Sequence, residues 1–458
     1  MTESSILLPG YECQLEDDSV LHSKEKVQSA AEDLLTIGIP KDNIHTLPCL
    51  SHKETIDYRC SCTFQIVSED PNNDECELQY AMRSAKTAIL LRGDHFPIAT
   101  PRIQHVMKLV VRELNARVSE NDSAFKYTLL RTDLSSVSFA SSWQHGLDCI
   151  ATFNYCTPIH VNNETKQQLL AEANDFCSDC NITTLILRSK KMKEVGGRIP
   201  PFIDDLLHLK RQDGVITIAL GMGDETSIPV FYHKPEDAFQ HPNGNTMLKA
   251  LEWMMNTLQN IERTETENGK DFKLLEMYCG CGAHTMPISK SAIFDSIVAV
   301  ELDQRLVDAC QVNCVKNGCS PTQNNDNVDG GKGATPVYSF QGDAGEWAAK
   351  SLLRRKRGLD SSTAASSVPS RSSKSYWYGQ DYHVLLVDPP RMGLSHEVRE
   401  LAINGSFEHM IYVSCGRQAL KGDLDALKVA FDVMDCTITD LFPRTNSVET
   451  LVHLKRRR

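Results

Sequence analysis

The sequence predicts an α/β protein of 458 residues, a parallel-sheet domain preceded by a smaller α+β domain, and three stretches carry that prediction. The first runs from Tyr382 to Gln418 and holds two compact apolar segments, Val384 to Val387 and Met410 to Val413, each followed at once by polar and turn residues. Buried parallel strands whose loops carry chemistry have this pattern. The second is "KLLEMY", a glycine turn over Cys279 to Ala283, and then "SIVAVELD" with an acid at Glu301. Strand, turn and second strand make a βαβ unit of the Rossmann type. The third, "IDYRCSCTFQIV", alternates, with Tyr58, Cys60, Cys62, Phe64 and Ile66 on one face and Arg59, Ser61, Thr63 and Gln65 on the other. That is a half-buried strand of the earlier domain.

Composition sets the frame for these elements. With 41% hydrophobic and 24% charged residues the chain has an ordinary globular balance, and its length suits two or three cores. No apolar run approaches the roughly eighteen residues of a membrane span, and Met1 to Asp18 carries acids where a leader would carry bases. An intracellular, cytoplasmic protein without membrane contact is expected. Sixteen scattered cysteines predict free thiols. Cys177 and Cys180 form a C-x-x-C with no second pair, and Cys49, Cys60, Cys62 and Cys76 lack compact cluster spacing, so no metal is expected. The net charge of -12 runs against the usual footprint of a nucleic-acid binder, although local potential rather than total charge sets phosphate attraction.

Taken in order, residues 1–56 read as an N-terminal helical segment, in which Val27, Ala31, Leu34 and Leu35 recur at helical spacing between Lys24 and Ile37. Residues 57–238 mix strands (Ala88 to Leu91, Thr184 to Leu187, Val215 to Leu220) with helices (Arg102 to Val118, Asn163 to Cys177), as an α+β domain does. Residues 239–458 form the parallel-sheet domain. Its first helix follows Asn243 or Asn245 as cap and keeps Leu248, Leu251, Met255, Leu258 and Ile261 on one side. A later helix, Gln304 to Asn317, closes at Gly318, and "VYSFQGDAGEW" gives a strand ending at Asp343. Two stretches near 319–336 and 354–378 are too poor in apolar residues to join a core and are expected to be mobile surface loops.

In a parallel sheet, ligands gather at the carboxyl ends of the strands. Asp388 opens a rigid Pro-Pro-Arg turn at one such end, and Cys415 follows directly on another. An acid beside a possible thiolate suggests chemistry on a flat electrophilic ring; the competing reading of Cys415 is one more buried structural cysteine. The glycine turn and Glu301 suit a ribose-bearing ligand. A dinucleotide is the rival there, but Thr285 stands where its third glycine would be.

"VDPPR-x-GL", "YVSC", "FP-x-T-x-x-VE", "LLEMYCGCG" and "AFQHPN" together resemble the TrmA-type family of S-adenosylmethionine-dependent RNA (uracil-5-)-methyltransferases, over Tyr58 to the C-terminus less the two insertions. The resemblance implies a Rossmann-like class I S-adenosylmethionine methyltransferase domain with an N-terminal α+β RNA-binding domain. It implies S-adenosyl-L-methionine as cofactor, tRNA as partner with its T-loop uridine as target, and a monomer. By position, Cys415 would be the nucleophile and Glu449 the general base. Gln240, Tyr278, Gly280, Glu301 and Asp388 would join Asp343 around the cofactor, and Arg59 would contact RNA. Three positions depart from the pattern: His241 is inserted before Pro242, Ala283 replaces an Asn, and Gly416-Arg417 replaces Asn-Pro. A ribosomal RNA enzyme, an amino-group methyltransferase and a non-catalytic RNA-folding protein are the alternatives; Arg391 and Cys415 speak against the amino-group enzyme, whose Asp-Pro-Pro is usually followed by an aromatic residue.

Overall fold

The computed structural model describes residues 8, 10–68, 76–84, 87–91, 95–119, 124–143, 148–156, 163–190, 192–199, 201–221, 223–236, 238, 241–265, 271–321, 333–356 and 370–457. Three sheets are present among them. The largest has eight strands in the order Ile44–Leu47, Phe431–Thr439, Glu449–Arg456, His409–Ser414, Val384–Val387, Lys273–Met277, Ser296–Glu301 and Val337–Gln341. Lys273–Met277 is central and pairs in parallel with Ser296–Glu301 and Val384–Val387. The chain therefore steps outward on one side, then crosses back to the other, and the crevice at this reversal is where open α/β sheets bind ligands. Glu449–Arg456 runs antiparallel between His409–Ser414 and Phe431–Thr439, which sets Thr450 opposite Ser414 and so carries Glu449 to the end of the strand that leads into Cys415.

The strands at the centre are buried on both faces. Val384, Leu385, Leu386 and Val387 are each 0% exposed, because helices cover the sheet from either side, and this is why the segment reads as a continuous apolar run rather than an alternating one. The seven-stranded sheet of the earlier domain shows the contrasting pattern. There Ser61–Ser68 buries Cys62, Phe64 and Ile66 and leaves Ser61 and Thr63 outside, while Pro101–Leu114 and Asn163–Asp179 contribute Ile103, Val106, Val110, Leu169 and Phe176 to one apolar core.

The expected boundaries shift in three places. Residues 1–56 are not a separate segment: Ser19–Leu35 buries Val27, Ala30, Ala31 and Leu34 in the core of the large sheet, and Ile44–Leu47 joins that sheet as an edge strand parallel to Phe431–Thr439. The three-stranded sheet of Phe202–Gln212, Val215–Leu220 and Ile228–Pro235 lies before the expected break at 238/239, yet its Leu207, Leu209, Ile216 and Val230 share a core with Met247, Leu251 and Met255 of the helix Gly244–Glu265. Apolar faces of a short sheet and a long helix need a common partner, and each supplies the other's. Finally, the ends of both low-complexity stretches are core. Cys319, Thr335 and Trp377 are buried; the Trp377 ring lies 4.6 Å from that of Tyr338, and its indole N–H donates to the Arg371 carbonyl. The expected mobility of the interiors, 322–332 and 357–369, falls outside the described residues.

Candidate active site

A cavity of about 610 Å³ opens at the carboxyl ends of the central strands. Tyr278, Gly280, Glu301, Asp343, Asp388, Cys415 and Glu449 all line it, together with Arg391 and Phe442. Seven of the nine residues expected from sequence are thus brought together. Gln240 lies outside the described residues, and His241 beside it lines the cavity instead. Arg59 is not among the lining residues; its guanidinium donates to the Tyr11 hydroxyl at 2.9 Å and the Ser61 carbonyl at 2.9 Å, which occupies it within the protein.

The glycine turn is shaped by its backbone. Tyr278, Gly280 and Gly282 have φ of 65°, 57° and 91°, and for Tyr278 a left-handed conformation is a cost retained where the surroundings over-determine it. A Cβ at Gly280 would meet no protein atom within 4 Å, so the open face of the turn is free for a ligand. Glu301 ties this turn to the second strand, accepting from Gly280 N at 3.0 Å and Asp303 N at 2.9 Å. Asp343 caps the helix that follows it, accepting from Glu346 N at 2.9 Å. Both carboxylates are therefore held in place by backbone donors, with a face left toward the cavity, an arrangement suited to ribose and adenine recognition.

The reacting end is built from two loops in contact. Gly393 (φ 79°) donates to the Pro390 carbonyl at 2.8 Å and turns the Asp-Pro-Pro-Arg segment back on itself. Buried Asp423 fixes that turn by accepting from Leu394 N at 2.9 Å and the Tyr412 hydroxyl at 2.6 Å. Gly416 explains one departure from the family pattern, since a Cβ there would stand 2.4 Å from the Arg391 carbonyl oxygen. Only glycine lets the loop after Cys415 pass this close to Arg391.

Four titratable groups meet at this point. Burial raises the half-buried Cys415 thiol above its ordinary value, Glu449 and Asp388 raise it further, and the Arg391 guanidinium, hydrogen-bonded to it, pulls it down. Burial also pushes Asp388 up to about 7 and Glu449 well above the ordinary carboxyl value, the latter helped by Asp388 and opposed by Arg391. Glu449 is 2% exposed and its Oε2 has no hydrogen-bond partner among the described residues. An orphaned buried acceptor aimed at a cavity is a cost that a reaction can use. Arg391 is the counter-charge to both Cys415 and Glu449. Alkylation of Cys415 by iodoacetamide is accordingly expected to rise with pH through a midpoint above that of a free thiol, and Arg391→Ala to move the midpoint higher still; an unchanged midpoint removes the guanidinium from this role.

Sequence reasoning passed over part of the lining. His241 and His284 are buried, and burial lowers their imidazoles to about 4 and about 3, helped by the Lys234 charge for His241 and by His241 for His284. With Asp388 they are the one group among the described residues whose donor atoms converge, all within 4.8 Å. A tetrahedral ion with bonds of about 2.0–2.1 Å needs donors roughly 3.4 Å apart, so the trio would have to contract to hold one. Below them, Glu276 accepts from the Thr285 hydroxyl at 2.6 Å, and burial first, then Asp388 and Glu301, raise it to about 8. An acid raised this way keeps its proton in the folded state where the unfolded chain has lost it, so it costs stability progressively between about pH 4.5 and pH 8. Glu276→Gln is expected to melt with the parent at pH 5 and several degrees above it at pH 8.5; equal melting at both rejects this burial cost.

The fold and cavity together define an S-adenosylmethionine-dependent methyltransferase. A family model described as tRNA (Uracil-5-)-methyltransferase matches residues 43–325 and 375–457, and the chain belongs to that family. It is 27% identical over 448 residues to a tRNA/tmRNA (uracil-C(5))-methyltransferase of Marinomonas sp. (strain MWYL1), covering 98% of this chain and 97% of that one. A protein of the same description from Photobacterium profundum is 26% identical, with both chains fully covered. Among solved structures, the Pyrococcus abyssi tRNA (uracil-54, C5)-methyltransferase in complex with S-adenosyl-L-homocysteine shares the fold at TM-score 0.54 and 12% identity, covering 95% of this chain and 84% of that one. This is an enzyme that uses S-adenosylmethionine to methylate carbon 5 of uracil in tRNA. No helix among the described residues is long and apolar enough to cross a membrane.

Proposed function

We propose that the protein methylates the T-loop uridine of tRNA as a monomer, through a covalent adduct between Cys415 and uracil C6. The observation that carries this reading is the meeting of Cys415, Glu449, Asp388 and Arg391 in the same cavity as the glycine turn and Glu301. Bound S-adenosylmethionine supplies an electrophilic methyl group on a sulfonium. Uracil C5 is too weak a nucleophile to take it unaided. Cys415 Sγ, as the thiolate after its proton has passed to solvent, would add to C6, and the C5–C6 π electrons would make C5 an enolate carbon able to take the methyl group, the thioether of the cofactor leaving with the electron pair of the broken C–S bond. Arg391 stabilises the thiolate as it forms. The C5 proton then passes to a carboxylate oxygen of Glu449, the C5–C6 double bond re-forms, and the C6–S bond breaks to return the thiolate. Glu449 is raised by burial and by Asp388, so once ionised it is a strong base for a carbon acid.

The uridine reaches such a cavity only if it is turned out of its stack, and Phe442 and Tyr278 offer flat or apolar walls. The T-loop target is supported by the similarity to the uracil-54 enzyme of Pyrococcus abyssi. In the proposed domain division, residues of the seven-stranded sheet domain grip the RNA. Nucleoside mapping of tRNA from cells lacking the protein tests the assignment: 5-methyluridine absent at the T-loop alone is the expected result, and its loss at another RNA or position redirects the reading.

A further inference from the structure

The helix Ser19–Leu35 lays an apolar side on the large sheet, yet beside it runs a second stripe. Ser19, Ser23, Lys26, Ala30 and Asp33 recur at steps of four and three, along one line of the helix. Ser19 bonds His52 and Thr55, while Ser23, Lys26 and Asp33 reach the segments that carry Glu449 and Cys415. Lys26 forms a buried ion pair with Asp440 at 2.6 Å and donates to the carbonyl oxygens of Phe442 and Thr445, each at 2.7 Å, and Ser447 at 3.1 Å. Ser23 donates to the other Asp440 oxygen at 2.6 Å. Those contacts define the course of the loop from the end of Phe431–Thr439 to Glu449. Two turns further on, Asp33 receives Arg417 through Nε at 3.1 Å and Nη2 at 2.6 Å, and Ser29 accepts a third bond from the same guanidinium at 3.1 Å. Arg417 is two residues after Cys415.

A buried lysine–carboxylate pair is weak evidence of stabilisation, since desolvation of both charges offsets their attraction. What it does supply here is direction: three inward carbonyls accept from a single ammonium whose charge is paired with the Asp440 carboxylate, and this fixes the course of the loop. The apolar side of the helix, with Val27, Ala31 and Leu34, already accounts for its docking. The polar stripe touches the two catalytic loops and is the part that docking leaves unexplained.

We propose that the N-terminal helix is a brace for catalysis, with Lys26 positioning Glu449 and Asp33 positioning Cys415 through Arg417. The inference rests on the roles given to those two residues above. In the full-length protein, Lys26→Met with Asp440→Asn removes one strut without leaving an orphan charge, and Asp33→Ala, Arg417→Ala and their combination remove the other. Turnover in either strut is expected to fall at least about tenfold, with cofactor affinity by calorimetry within about twofold of the parent. The two struts differ in how they fail. Loss of the Lys26 strut lengthens the life of the RNA adduct, and loss of the Asp33 strut slows its formation. Asp33→Ala and Arg417→Ala together cost clearly less than the sum of the two, because the bidentate Arg417–Asp33 pair is shared, while the Arg417–Ser29 bond and the Lys421–Asp33 pair belong to one residue each. Parental turnover in the variants, additive losses in the second pair, or a fall in turnover matched by a fall in bound cofactor each overturn the brace. Should the Lys26 double variant fail to fold, the Asp33 and Arg417 cycle decides alone. A parent protein that makes no 5-methyluridine defeats the reading of the site, and the brace with it; a working parent with unaltered variants defeats the brace only.

Discussion

Cys415→Ala is expected to abolish methylation of tRNA, a loss on the order of 10⁴-fold or more, because no other group in the cavity can raise the electron density at C5. The thiol stands at the mouth of a loop whose course is set by Gly416 against Arg391 and by Asp423 behind the Pro-Pro turn. Removing one sulfur atom from a half-buried position disturbs neither support. S-adenosylmethionine affinity should therefore survive, which separates a chemical defect from an unfolded pocket. With RNA carrying 5-fluorouridine, the parent should give a protein–RNA band that resists denaturant, since fluorine cannot leave C5 as a cation, and Cys415→Ala should give none. If the variant still produces 5-methyluridine, the covalent route is wrong.

What could be read in advance followed from local pattern. Val384 to Val387 and Met410 to Val413 were legible as parallel strands because four consecutive apolar residues cannot be half exposed, and the structure buries them completely or nearly so. Cys415, Asp388, Glu301 and Asp343 were legible as site residues for a related reason. Each stands at or just past the end of a strand, and strand ends in a parallel sheet share one edge. Once the strands are right, the site assembles itself from residues scattered over more than a hundred positions.

The unread part is non-local. Nothing near Ile44–Leu47 shows that it pairs with Phe431–Thr439, because the register Ile44↔Cys436 depends on a partner almost at the other end of the chain. Trp143 and Lys234, on elements of the earlier sheets, reach the cavity through a buried pairing of Lys234 with Asp205, whose other oxygen accepts from Trp143 N at 2.7 Å. Arg59 shows the same dependence on distant partners. Its place on the polar side of an alternating strand was legible, and its hydrogen bond to the Tyr11 hydroxyl, far away in sequence, was not. Trp377 sits in a stretch of serines and charges whose average composition hides one core residue. On the N-terminal helix only the apolar spacing was read, because the role of Lys26 and Asp33 depends on loops toward the other end of the chain.

Glu449→Gln is expected to leave the first half of the cycle intact and stop the second. Glutamine keeps the size and the acceptor oxygen of the side chain, so the strand Glu449–Arg456 and its pairing with His409–Ser414 should be unaffected. It cannot take a proton from carbon at any working pH. Attack by Cys415 and transfer of the methyl group then proceed, and the methylated adduct accumulates with unmodified RNA, where the parent shows none. Steady-state turnover should fall about 10²–10⁴-fold, the usual span for loss of a positioned base. The pH dependence gives an independent check. Burial and Asp388 hold the parental carboxyl well above its ordinary value, so parental turnover should climb with pH as Glu449 loses its proton, and the residual turnover of Glu449→Gln should lack that limb. Normal turnover in the variant, or a rising limb that persists without an adduct, would assign proton removal to Asp388 or to water instead.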